Sequence, residues 1–268
     1  MRRVRSRTVR GVFATVVGMT TAGAGRGWQE VAPGVVRRRL PQWDETVGAV
    51  TGTEGLLVVD AGPALSVGTA LAEELGERDG PPVRWLAVTH PHFDHLLGAG
   101  AFRGAELLAA AGDRAPWAAG DAGVAADAVA HGLDRAEAAR SAAALPAPDR
   151  LVAEGPAADR LVLALGGGRR AELINLGAAH SGHDLVVAVF EGGAAEPSVV
   201  FCGDLVEESG EPQAGPDAEP ARWPAALDRL LALGGARAAY VPGHGAVVDA
   251  AFVRAQRAAL ARRFGVAG

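Results

Sequence analysis

The segment THPHFDHLLG, Thr89–Gly98, constrains this chain more than any other stretch. It places three of the seven histidines, together with an aspartate, within six positions. Side chains alternate along an extended segment, so His90 and His92 point the same way and can grip one metal ion. Pro91 between them stiffens the backbone and donates no ladder hydrogen bond. Asp94 and His95 come as the chain turns into a helix at LLGAGAF, and so face a second position beside the first. Four donors in so short a run close on one ion only with strain. Two adjacent ions is the less strained arrangement.

The rest of the chain repeats the pattern of apolar run followed by polar residue. Asp60 ends VVDAG, His180 lies in LGAAHSGHD, Asp204 in FCGDLV and His244 in VPGHG, each just after a predicted strand. Loops at strand ends are where a rigid scaffold carries function. Histidine and aspartate together form a zinc-type donor set, and a catalytic zinc keeps one coordination position open.

Periodicity places these residues in an alternating architecture. GVVRRRL, TVGAVTG, GLLVVDAG and VRWLAVTH read as strands, and ALSVGTALAEELGE as a helix. The alanine-rich stretch from about Gly104 to Leu145 reads as mostly helical, with breaks. RLVLALGG and RAELINLG read as a hairpin, DLVVAVF and SVVFCGDL as strands, and AAYVPGHG as a last strand and turn. ARWPAALDRLLALGG reads as a helix closed by Gly234, and AAFVRAQRAALARRF as a terminal helix. This order suits an α/β chain with two sheets face to face and helices on the outer faces. No linker divides it, so residues 27–268 are predicted to form a single domain.

Composition removes several classes of function. The net charge is −5 and the interior has no long basic run, which argues against a nucleic-acid surface. No apolar run is long enough to span a membrane. The one cysteine, Cys202, excludes an internal disulfide and fits a reducing, cytoplasmic compartment. Residues 1–26 open with MRRVRSRTVR, continue through GVFATVVGMT and reach Ala22-Gly23-Ala24. That order is the order of a secretory signal, but glycine and threonine dilute the apolar part. A flexible basic tail is the expectation, with a weak signal as the alternative.

HPHFDH fits the H-x-H-x-D-H pattern of the metallo-β-lactamase superfamily, which this chain resembles from about Trp28 onward. VVDAG, THPHFDH, GAAHSGHD, FCGDL and VPGHG occur in that family's order. The resemblance implies a four-layer αββα sandwich with the site at the shared edge of the sheets. It implies His90, His92 and His180 around one metal, and Asp94, His95 and His244 around the other. Asp204 would bridge the two, and Asp60 would orient a ligand histidine from behind. The implied cofactor is two Zn2+, with iron or manganese as alternatives.

Two such ions bring a charge of about +4, of which Asp94 and Asp204 offset half. Metal binding lowers the pKa of bound water to about 7, so a metal-bridging hydroxide is the implied nucleophile. Either Asp94 or a metal-bound water would then protonate the leaving group. The expectation is a dinuclear zinc hydrolase acting on a small-molecule ester, thioester, lactone or amide. The alternatives are a β-lactamase proper, or a mononuclear iron enzyme like the persulfide dioxygenases, using His90, His180 and Asp204. Outside enzymes, the alternative is a non-catalytic metal-binding protein.

Other residues receive plainer readings. Cys202, two positions before Asp204, reads as a small buried residue. His183 reads as an exposed loop residue, with substrate contact as the alternative, and His131 as surface. Trp43 and Trp223 fit pocket walls and core aromatics equally well.

Overall fold

Residues 56–59 and 185–190 are apolar at every position, so strands built from them must be buried on both faces. The computed structural model describes residues 27–112, 122–155 and 159–266 and shows how this is met. Strands β1 (Gln29–Ala32), β2 (Val35–Arg39), β3 (Thr46–Thr51), β4 (Leu56–Val59), β5 (Val83–Ala87), β6 (Glu106–Ala110) and β7 (Arg150–Val152) form one sheet in chain order. Its pairs are antiparallel from β1 to β4 and parallel from β4 to β7. The second sheet comprises β8 (Arg160–Gly166), β9 (Arg169–Asn175), β10 (Leu185–Glu191), β11 (Val199–Glu207) and β12 (Ala239–His244). Its order is β12-β11-β10-β9-β8, antiparallel throughout except between β11 and β12.

The period-two alternation of each strand divides the apolar side chains among three cores. Leu57 and Val59 of β4 meet Val187 and Val189 of β10 between the sheets. Val58 faces the other way, toward Leu71 and Leu75 of α1 (Leu65–Gly76) and Phe93 and Leu96 of α2 (Phe93–Leu96). α3 (Ala122–Ala130) and α4 (Arg135–Ala143) complete that layer through Val124, Ala128, Ala138 and Ala142. Val186 and Ala188 of β10 face Leu227 and Leu230 of α5 (Trp223–Gly234) and Val253 and Leu260 of α6 (Ala250–Phe264). The result is the expected α/β four-layer αββα sandwich.

Two local expectations are corrected. The Gly104–Leu145 stretch does not begin as helix, because β6 occupies Glu106–Ala110, paired in parallel between β5 and β7. ELLAA is built of good helix formers, but four of its five residues are buried, and tertiary pairing outweighs propensity. The helical part starts later, and α4 is N-capped by Asp134, whose carboxylate accepts from the Ala136 and Glu137 N–H groups at 3.0 Å. The second correction is one residue at the end of α5. Gly234 is its last helical residue, and the chain is turned out at Gly235, with φ 65°. Gly234 is required for a different reason: a Cβ there would lie 2.4 Å from the Tyr240 hydroxyl oxygen.

Residues 1–26, on which the tail-or-signal reading falls, lie outside the described residues, as do 113–121 of the alanine-rich stretch. Among the described residues no helix is long and apolar enough to cross a membrane.

Candidate metal centre

Strand ends from both sheets deliver the donors to one edge of the sandwich. The chain leaves β5 at Ala87, and Val88 and Thr89 carry it to His90. His92 stays extended, with φ −78° and ψ 152°, at the N-terminus of α2. Asp94 and His95 therefore lie inside this one-turn helix rather than ahead of it, and the change from strand to helix splits the four donors into two pairs.

Asp204 does not follow its strand as expected but sits within β11. The pairing of β11 with β12 shifts register around Gly203, whose φ of 53° interrupts the alternation. Cys202 consequently packs in the core under α5 and α6, while Asp204 turns toward the histidines. The close approach of Asp204 also dictates its neighbour, since a Cβ on Gly243 would lie 1.8 Å from Asp204 Oδ1.

Two donor groups result. One atom each of His90, His92, His180 and Asp204 lie within 4.8 Å of one another, and so do those of Asp94, His95 and His244. Each group could hold a metal ion. Asp204 reaches both: its carboxylate oxygens lie 3.4 Å from His180 Nε2, 3.7 Å from His90 Nε2, 3.2 Å from His95 Nε2 and 3.3 Å from His244 Nε2. Asp94 Oδ2 lies 3.3 Å from His244 Nε2 and 3.5 Å from His95 Nε2.

The opposite nitrogen of every one of these histidines is held from outside. His95 Nδ1 donates to Asp60 at 3.0 Å, and His92 Nε2 to Asp217 at 3.0 Å. His180 Nδ1 donates to the Gln213 carbonyl at 3.1 Å, and His244 Nδ1 to the Trp43 carbonyl at 2.8 Å. These four acceptors have no proton to give, so the outer nitrogen carries the hydrogen and the inner one presents a lone pair. His90 Nδ1 meets Thr89 Oγ1 at 3.0 Å, and that hydroxyl donates to Asp60 at 3.0 Å, which imposes the same tautomer. Asp60, itself held at φ 63°, also accepts the Thr89 N–H at 2.7 Å. It thereby steadies one histidine of each group.

The donors also set one another's charge. Burial drives His90 well below the usual imidazole range and His180 down to about 4, favouring the neutral form that a metal takes. Burial also opposes charge on His95 and His244, but the carboxylates around them prevail. Asp204, Asp94 and Asp60 carry His95 well above its ordinary value, and Asp204 and Asp94 carry His244 up to about 11. Asp204 is itself buried, yet the surrounding histidines hold it well below the usual carboxylate range. Without an ion the carboxylates draw protons onto His95 and His244, and a bound cation would take the place of those protons.

Whether the residues fit a metal can be read from the buried polar atoms that lack partners. His90 Nε2, His95 Nε2 and Asp204 Oδ1 are buried and make no hydrogen bond. Buried polar atoms are normally paired, and these three face one another across the same space. Five imidazoles and two carboxylates are a donor set suited to zinc or another first-row ion. The fit is good.

Other sequence expectations meet mixed outcomes. His183 is not exposed but buried, and its ring lies so close to Gly112 that a Cβ there would approach Nδ1 to 2.1 Å. It is not among the converging donors. The local reason is the tight 180–184 turn, in which buried Asp184 accepts from the His180 and Ser181 N–H groups and from the Ser181 hydroxyl. Burial pushes the Asp184 carboxyl up to about 7. Cys202 is buried as expected, and burial pushes its thiol far up. His131 is exposed, as expected, and stacks on Phe93 with ring centroids 5.3 Å apart. Trp223 is a core residue, bonded to the Leu205 carbonyl, with its edge against His180. Trp43 is half-buried beside Phe93, ring centroids 5.4 Å apart. Sequence reasoning missed Asp217, Thr89, Asp184 and the two carbonyl acceptors. Of these only Asp217 carried a signal, an acidic residue in the loop between Asp204 and Trp223.

A four-layer αββα sandwich with this histidine–aspartate centre at its edge defines a metal-dependent hydrolase. The family model of the metallo-beta-lactamase superfamily matches residues 41–244, and the chain belongs to that superfamily. No curated protein matches the chain. Among solved structures it is similar to the metallo-beta-lactamase FIM-1 of Pseudomonas aeruginosa in its mono-zinc form, with a TM-score of 0.60 and 20% identity over 90% of this chain and 96% of that one. A metallo-beta-lactamase of Hirschia baltica gives 0.60 at 15% identity, covering 87% and 96%. One from Pontibacter korlensis gives 0.59 at 20% identity, covering 87% and 97%. At these identities the likeness is one of fold.

Proposed function

We propose that the chain is a dinuclear zinc hydrolase of a small ester, thioester, lactone or amide. His90, His92 and His180 hold one ion, Asp94, His95 and His244 the other, and Asp204 is shared. The observation that carries this reading is the arrangement of five histidines whose outer nitrogens are all held while their inner nitrogens converge on Asp204. The complete second group favours two ions over a mononuclear iron centre.

Zinc bound there would polarise a substrate carbonyl and supply hydroxide near neutral pH, because bound water has a pKa of about 7. The chain's own residues prepare for that chemistry. Asp60, Asp217 and the carbonyls of Gln213 and Trp43 keep the unprotonated nitrogens facing inward. Asp204 places a fixed negative charge between the groups. Asp94 is buried, yet the histidines of the second group that it touches hold its carboxyl below the usual range, so it would accept the proton of the attacking water and pass it to the leaving group. The buried thiol of Cys202 is in keeping with a cytoplasmic location.

The test is hydrolysis by zinc-reconstituted protein across an aryl ester, a thioester, a lactone and a β-lactam. We expect turnover of at least one, abolished by chelation and restored by zinc. Protein that carries two zinc ions and hydrolyses none of them would contradict the proposal.

A further inference from the structure

One buried acid beside the centre has no part in that chemistry. Glu45, just before β3, is 0% exposed, and neither of its carboxyl oxygens reaches a hydrogen-bond partner in another residue. Its backbone pairs in an antiparallel bridge with His244, and the Trp43 carbonyl two residues earlier accepts the His244 Nδ1 proton. Residues directly opposite in an antiparallel pair put their side chains on the same face, so Glu45 lies on the side of His244, a residue of the second donor group.

A buried carboxylate without a partner is expensive, and most are paired with an arginine or a metal. Among the described residues no arginine pairs with Glu45. Arg37, the buried arginine of β2, donates instead to the Gly245 carbonyl and to Gln29. Histidines that ligate a metal are neutral, which leaves a bound ion as the one strong cation that Glu45 can face. The charge count agrees. Two divalent ions bring about +4, Asp94 and Asp204 return half of it and a bound hydroxide one more, which leaves about one positive charge for a further carboxylate.

We propose that Glu45 is a charge-balancing residue for the ion held by Asp94, His95 and His244, and sets the affinity of that site without touching substrate. This rests on the dinuclear reading of the centre. It makes the second site more dependent on a buried carboxylate than the first, and thereby makes occupancy of the two sites separable.

The experiment titrates the full metal-free chain with Zn2+, for the natural protein and for Glu45→Gln, and records the thermal midpoint of each metal-free form. We expect one zinc to bind as in the natural protein and the other to weaken about 10- to 100-fold, the range for loss of a partner behind a metal ligand. The metal-free Glu45→Gln protein should melt no lower than the natural one, because it no longer buries an unpaired acid. In a His244→Ala background the same substitution should have no further effect on zinc binding. Two zincs bound with natural affinity by Glu45→Gln would overturn the inference, as would equal weakening of both together with a lower metal-free midpoint. A natural protein that binds fewer than two zincs would instead overturn the dinuclear reading on which the inference rests.

Discussion

The two donor groups face each other across Asp204 but depend on different parts of the molecule. The outer nitrogens of His92 and His180 rest on the loop after β11, through the exposed Asp217 and the Gln213 carbonyl. Those of His95 and His244 rest on the scaffold, through Asp60 at the end of β4 and the Trp43 carbonyl ahead of β3. Asp60 is 2% exposed and fixed by two further hydrogen bonds from Thr89. Two histidines of the first group are thus steadied by a surface loop, while the third, His90, shares with His95 the buried Asp60 at the end of a sheet. Two sites with the same donor chemistry should therefore differ in how readily they lose their ion.

Substitutions can break this comparison in order of expected effect. Asp204→Ala removes the residue shared by both groups. It should strip at least one zinc and lower kcat by about 100-fold or more, the scale seen when a preorganised charge is removed from an active site. Metal analysis, steady-state kinetics and circular dichroism together check this, and two retained zincs would contradict the shared role. Asp60→Asn keeps a side chain that tolerates positive φ but removes the carboxylate behind His95. Zinc affinity of the second group, which Asp60 contacts directly, should fall by about 10- to 100-fold, and that of the first, reached only through Thr89 and His90, by less, measured by competition with a chelator. Asp217→Asn should weaken the first group alone, by about tenfold, because its exposed carboxylate is screened by solvent. If Asp217→Asn weakened the second group instead, the contrast between loop and scaffold would fail. Cys202→Ala should leave zinc content unchanged and lower stability by about 1 kcal/mol, read from denaturant unfolding.

Much of the site was legible because its donors are local. HPHFDH carries four of them in one run, and the turn into a helix after His92 separates His90 and His92 from Asp94 and His95. His180, Asp204 and His244 could be placed because apolar strands announce their own ends. The features hidden from the sequence depend on contacts between distant parts of the chain. Asp217 stands among Glu207, Glu208, Glu211 and Glu219, and only the fold shows which acid reaches His92. Glu45 reads as an ordinary turn acid until the bridge to His244 buries it. The strand at Glu106–Ala110 was hidden for the same reason, since ELLAA favours a helix until β5 and β7 flank it. His183 looked exposed because a Gly-flanked loop usually is, whereas the Ser181–Asp184 bonding folds this one inward.

Two ions sharing Asp204 are the central claim, and zinc content tests it most directly. Full-length protein, reconstituted with excess zinc and dialysed against metal-free buffer, should retain two zinc ions per chain by elemental analysis. Asp204→Ala prepared alongside should retain one or none. A natural protein that holds a single ion, or a variant that still holds two, would contradict it.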